Sequence, residues 1–259
     1  MYIHPIRTPR VYILCCCLLV GTSIASAQTD HGQWTLGPSE TPGKIRFSIE
    51  SARDGHHSFS NSSDWSAADF DGLDLATPGK HDVHFTIPRD AGTFDAEGFA
   101  RDGEAAGLYT FRPNAQYVRD MAALGFPGIE EENQMAFALH DVSLAYAREM
   151  KSLAIQGLDT RKLLPCRIFH IDAAFVRELQ SVGITVAGVD KLIAFRIHHV
   201  SPEYVKELAR LGYPHPDADQ LIALRIHQVT PEYIEKIRSH GMQNLTLDQL
   251  IKLRIHGLE

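Results

Sequence analysis

The chain has 259 residues, 25 of them Lys or Arg against 32 Asp or Glu, for a net charge of −7. Proteins that grip nucleic acid cluster Lys and Arg over the phosphates, so this acidic balance excludes nucleic acid as the expected partner and favours solubility. Four cysteines are present, but Cys15, Cys16 and Cys17 stand together in the first apolar run, so no disulfide framework is expected beyond it.

Residues 1–27 read as a signal peptide, with Arg7 and Arg10 ahead of an apolar run from Val11 to Val20 and a small-residue cleavage site at Ala25-Ser26-Ala27. The run spans about ten residues, half of the roughly 20 that a membrane-spanning helix needs, so no span is expected in the mature chain. Its cysteines follow Tyr12-Ile13-Leu14, which lacks the small residues of a lipoprotein site. Cleavage after Ala27 and a secreted or periplasmic destination are expected. Losing Arg7 and Arg10 takes the charge from −7 to −9. Cys166, the cysteine that remains, follows Leu163-Leu164-Pro165 and is expected to be buried and inert.

Residues 28–112 form a β-rich region. Ile45, Phe47 and Ile49 alternate with Arg46, Ser48 and Glu50, and Val83, Phe85 and Ile87 repeat that period of two, the pattern of a half-buried strand. Turn signals fall at Asp54-Gly55, Asp71-Gly72, Asp90-Ala91-Gly92 and Asp102-Gly103. The stretch 81–111 predicts three strands in a meander. Residues 28–43 and 51–66 show no clear period and predict loop or partial disorder.

From Asn114 onward a single unit recurs. Tyr117, Tyr146, Phe175, Tyr204 and Tyr233 stand 29 residues apart, and Ser-Pro-Glu-Tyr-Val at 201–205 answers Thr-Pro-Glu-Tyr-Ile at 230–234. Such a period signals a repeat array. Each unit predicts two helices. The first is capped by a residue such as Ser201 with Pro202 at the first helical position and ends at a glycine (Gly125, Gly183, Gly212 or Gly241). The second opens at Asp217 or Thr246, with Gln220 or Gln249 completing a capping box. Helices this short are unstable alone in water, so stacking of units must supply the core. The fold expected is α+β: a small N-terminal antiparallel β region, then over residues 113–259 an α-helical repeat array of five two-helix units (114–142, 143–171, 172–200, 201–229 and 230–259).

Two side-chain ladders follow the same period. His140, His198, His227 and His256 close the second helices, with Phe169 in that slot of the second unit and His170 one residue later. Imidazole is a common metal ligand, yet equivalent positions in stacked units are expected roughly 10 Å apart, whereas zinc draws its ligands to within about 2.1 Å. A capping role beside the helix C-terminus is the stronger expectation. Arg167, Arg196, Arg225 and Arg254 precede that slot by two residues, with Ala138 in the first unit. They are the candidate binding surface, a positive stripe suited to an extended ligand, although pairing within the array would also account for them. In the β region His81-Asp82-Val83-His84 is the one compact ligand-type cluster, with the two histidines on opposite strand faces. His56-His57 predicts a solvated loop.

No zinc-protease, nucleophile-elbow or phosphate-loop motif is present, so no catalytic residue and no cofactor are assigned. The repeat consensus, Thr230 to Ile234 and Asp219 to His227, resembles tandem repeats of uncharacterised bacterial exported proteins and is similar to C-terminal repeats of some BlaR1-type membrane metallopeptidases. The zinc motif and the multiple membrane spans of those enzymes have no counterpart here. The resemblance implies an accessory extracytoplasmic module, linked to sensing in the cell envelope. The function expected is that of an exported, non-enzymatic helical-repeat protein binding a protein or peptide in the periplasm or envelope. The alternatives are a metal-binding envelope protein using the repeat histidines and an enzyme with a site in the β region.

Overall fold

The computed structural model describes residues 30–53, 57–185 and 188–257. The expected signal peptide, the Asp54-Gly55 turn and His56 lie outside the described residues. The architecture is α+β, as the periods predict. Six strands, β1 (Asp30–Pro38), β2 (Lys44–Arg53), β3 (His57–Ser66), β4 (His81–Arg89), β5 (Gly92–Arg101) and β6 (Glu104–Pro113), form one antiparallel sheet in the order β3-β2-β1-β6-β5-β4. Two meanders thus meet where β1 pairs with β6. The second is the one legible in the sequence, its β5–β6 turn placing Asp102 at φ 52° and Gly103 at φ 84°, the doubly left-handed conformation of a two-residue hairpin.

Strands β1 and β3 correct the loop expected over much of 28–43 and 51–66. In β1, Gly32 breaks the inward sequence that Trp34 and Leu36 continue. In β3 the positions opposite Ile49 and Phe47 are Asn61 and Ser63; Trp65 Nε1 donates to Ser63 Oγ at 2.8 Å, and Ser63 Oγ donates to Asn61 Oδ1 at 3.3 Å. Polar residues satisfying one another on the inner side of an edge strand erase the alternation by which strands are recognised.

The sheet coils tightly. Trp34 stands opposite Gly107, which stands opposite Gly98, and the ring of Trp34 reaches Phe85 three strands away at 4.9 Å. No side chain fits at either glycine: a Cβ on Gly98 would lie 2.1 Å from the Ala106 carbonyl oxygen, and one on Gly107 1.9 Å from that of Glu97. Phe70, after a 3-10 turn at Ala67–Asp69, bridges Phe47 and Phe85 at 5.4 Å to each and closes the trough.

Strand β6 passes without a linker into the array, because Asn114 is already the N-cap of the first helix. Each unit supplies two nine-residue helices. The first helices are α1 (Ala115–Ala123), α3 (Leu144–Ser152), α5 (Ala173–Ser181), α7 (Pro202–Arg210) and α9 (Pro231–Ser239). The second are α2 (Glu131–Leu139), α4 (Thr160–Ile168), α6 (Val189–Ile197), α8 (Ala218–Ile226) and α10 (Leu247–Ile255). Every first helix has a side-chain N-cap, from Asn114, Ser143, Asp172, Ser201 or Thr230, and both expected capping boxes form. Gly125, Gly183, Gly212 and Gly241 take φ of 95°, 79°, 90° and 86° after the first helices, a conformation that costs glycine least.

Sheet and helices share one apolar core. Buried Gln134 in α2 donates to the carbonyls of Ala91 (2.9 Å) and Asn114 (2.7 Å) at the junction, and Asp90 accepts from Leu144 N at 2.8 Å. Within each unit the recurring aromatic lies in the core, no more than 6% exposed at any of its five positions. In three units its hydroxyl has a definite acceptor: Tyr117 donates to the Val142 carbonyl (2.6 Å), Tyr146 to that of Ile171 (2.7 Å) and Tyr204 to that of Val229 (2.7 Å).

Truncating this slot separates packing from hydrogen bonding. Tyr204→Ala is expected to cost about 3–5 kcal/mol, as for other buried aromatics, whereas Tyr204→Phe leaves only the buried Val229 carbonyl without its donor, at about 1–3 kcal/mol. Denaturant midpoints measure both, and equal losses would assign the whole effect to the hydroxyl.

Candidate binding surface

The arginine ladder points into the array. Each guanidinium lies over the aromatic ring of its own unit: Arg167 over Tyr146 at 5.0 Å, Arg196 over Phe175 at 3.7 Å, Arg225 over Tyr204 at 4.9 Å and Arg254 over Tyr233 at 5.0 Å. Three of them also reach back to the end of the preceding second helix. Arg167 Nε and Arg225 Nε donate to the carbonyls of His140 and His198, both at 3.1 Å, and Arg196 donates to that of His170 at 2.6 Å. A planar cation that stacks on a ring and caps unpaired helix carbonyls answers two needs at once. Asp141 adds an ion pair to Arg167 at 3.0 Å and lies 3.8 Å from Arg89 of β4, tying the first rung to the sheet. The four arginines are half-buried, and this engagement leaves them the flank of a surface instead of its contact face.

The histidine ladder occupies C-caps, as expected: His140, His198, His227 and His256 close α2, α6, α8 and α10, with Phe169 closing α4. Four of the five following residues, Asp141, His170, His199 and Gln228, take φ between 51° and 56°. Among the described residues no group of three or more His, Cys, Asp or Glu side chains is placed to hold a metal ion. Burial, and secondarily the Arg167 charge, hold the pKa of His140 below its ordinary 6.5. Cys166 is buried and its thiol pKa is pushed up to about 12, chiefly by burial.

In the sheet the two histidines part as parity requires. Both ring nitrogens of His81 contact backbone carbonyls, of Gly79 at 3.1 Å and Asp74 at 3.2 Å, and these contacts raise its pKa. His84 pairs with Asp95 at 2.8 Å on the other face. There an open hollow of about 540 Å³ is lined by Asp82, Val83, His84, Glu97, Gly98, Phe99, Gly107 and Leu108. It takes in Asp82 and His84 but not His81, so the expected cluster does not assemble in one pocket.

A third ladder escaped the sequence analysis. Ile168, Ile197, Ile226 and Ile255 follow the arginines by one residue and are 43%, 47%, 51% and 56% exposed. One turn earlier on the same helix face stand Leu164, Ile193, Ile222 and Ile251, all partly buried. The second helices stack on one another, so these eight side chains form a continuous apolar stripe. In the first unit the same two positions are Met135 and Leu139, only 3% and 5% exposed. There α2 packs against β5 and β6, and the Tyr109 hydroxyl donates to Met135 Sδ at 3.7 Å. The available signal was composition: in Leu221-Ile222-Ala223-Leu224-Arg225-Ile226 every residue but Arg225 is apolar, more apolar surface than one core-facing stripe needs.

Compared with family models, curated proteins and solved structures, the chain matches none. No described helix is long and apolar enough to cross a membrane.

Because Arg225 both stacks and caps, Arg225→Ala is expected to destabilise the fold by about 1–3 kcal/mol. Unchanged stability in chemical denaturation would return the ladder to the role of a free surface. For His140, the unfolded side chain takes up its proton near pH 6.5 while the folded one resists, so stability is retained above that pH and lost as pH falls towards the lower folded value. His140→Asn should flatten this part of the slope between about pH 7.5 and 5.5, read from denaturant midpoints across that range.

Proposed function

We propose that the protein is an exported helical-repeat module, without catalytic activity, whose second-helix layer binds a protein or peptide along the isoleucine stripe. One observation carries this reading: the stripe that the sheet covers in the first unit continues uncovered through the next four. Fully burying such a side chain contributes about 1.5–3 kcal/mol relative to leaving it exposed, so four half-exposed isoleucines offer several kcal/mol to a ligand that covers them. Extended surfaces of this kind suit repeat arrays. Export is supported by the composition of residues 1–27, and an accessory role in envelope sensing by the resemblance of the repeat consensus.

A photo-crosslinking side chain at position 226 should yield a discrete protein adduct in the native cell, and the same group at Lys206, exposed on the first-helix layer, should not. Equal labelling from both positions, or none from either, would count against the stripe as the binding face. Ile197→Asp with Ile226→Asp should abolish adducts from a probe at position 255 while leaving the melting temperature within a few degrees, since both sites are half-exposed.

A further inference from the structure

The connection from the 3-10 turn to β4, residues 70–80, carries no helix or strand of its own, so its shape depends on a few side chains and isolated backbone bonds. Its start is fixed by the sheet. Asp71 and Thr86 of β4 exchange two backbone hydrogen bonds, each at 2.8 Å, and Leu73 and Leu75 pack partly buried against the core. The Asp74 carboxylate organises the middle, accepting from Ala76 N at 2.9 Å, Thr77 N at 3.1 Å and the Thr77 hydroxyl at 2.6 Å. The far end is held by a ring. His81, the first residue of β4, sets Nδ1 3.1 Å from the Gly79 carbonyl oxygen and Nε2 3.2 Å from that of Asp74. A neutral imidazole carries one N–H and one lone pair, whereas the imidazolium carries two N–H groups. Two acceptors therefore face a ring that can satisfy both only when it is charged.

We propose that His81 is a proton-operated latch on this connection: the imidazolium donates to both carbonyls and fastens residues 74–80 to the head of β4, and loss of its proton releases one of the two. The surroundings agree with this. Hydrogen bonding to the Asp74 and Gly79 carbonyls, in that order, and then the charges of Asp74 and Asp82 hold the His81 pKa above its ordinary 6.5 against partial desolvation. Opposite His81 on β5 stands Ala100, which has no charge. The neighbouring cations are engaged elsewhere, Arg101 with Asp102 at 3.3 Å and the Lys80 ammonium 4.5 Å from the centre of the Phe99 ring. Because the folded pKa lies above that of the unfolded side chain, the stabilisation is complete below about pH 6.5 and is lost as pH rises through the folded value. This is opposite in sign to the effect of His140.

Lys80 is the residue next to the latch, so the state of His81 passes directly to Phe99. That ring is 55% exposed, and with Lys80 it borders an open hollow of about 890 Å³ that also takes in Thr35 and Arg46. With the latch closed Lys80 is held over the ring, and with it open the connection loosens and the ring is bared.

Proton NMR of the full chain tests this. The His81 ring should titrate above pH 6.5. With the same midpoint, the amides between residues 75 and 80 should lose protection from exchange, and the Lys80 methylenes should lose the upfield shift that the Phe99 ring imposes. His81→Gln keeps a donor but cannot titrate, so both signals should stay level from about pH 5.5 to 8. A His81 midpoint at or below 6.5, or protection in the wild-type protein that ignores pH, would overturn the latch. So would a pH dependence that survives in His81→Gln, which would assign the effect to His84 or to a carboxylate.

Discussion

A helix of nine residues leaves nearly all of its terminal carbonyls and amides without intrahelical partners and is unstable in water, so each helix of the array depends on groups supplied from outside itself. The node that supplies them is the aromatic slot with its arginine. Tyr204 fixes the unit from within by donating to Val229, and Arg225 covers the ring while donating to His198 of the unit before. One side chain therefore closes a unit and the other joins it to its neighbour. Where the hydroxyl is missing, at Phe175, the guanidinium of Arg196 lies at 3.7 Å, its Nη2 donates to the His170 carbonyl, and its Nε is left buried without a partner. The first helices repeat the joining rule less regularly, with Lys151 donating to the Leu124 carbonyl and Arg238 to that of Leu211, each at 2.6 Å.

A stack built on nearest-neighbour contacts has two ends, and one of them is resolved by the sheet. The first unit has Ala138 where the others have arginine, since there is no preceding helix whose carbonyls need capping. In place of that contact, Gln134 and Asp90 bond the strand turn to the helices, and Met135 and Leu139 bury the outer face under β5 and β6. The departures from consensus in this unit thus trace to what the sheet replaces.

Much of this was legible in the chain. The 29-residue period, the helix caps, the left-handed glycines and the β4–β6 meander all follow from local chemistry, which one sequence contains in full. Strands β1 and β3 were hidden because their inner residues, Gly32, Asn61 and Ser63, are suited by tertiary contacts and not by a period. The site was hidden for a related reason. Arginine is recognised by its charge, and the ladder therefore resembled a surface, whereas its partners are a ring and a carbonyl of other helices that only the packed array brings near. Isoleucine is recognised as core, and its exposure in four units depends equally on packing.

Leu224-Arg225-Ile226-His227 shows how closely these roles are bound together. Successive residues on a helix stand about 100° apart, so once Leu224 enters the core and Arg225 is held over Tyr204, position 226 must face outward and His227 must fall at the cap. The geometry dictates that something is exposed there, but not what it is. A half-exposed site near a helix end accepts Lys, Gln or Glu at no cost to packing, and the array would stack equally well with any of them. Isoleucine at Ile168, Ile197, Ile226 and Ile255 is therefore not required by the folding of the chain, which is the ground on which a role in binding rests.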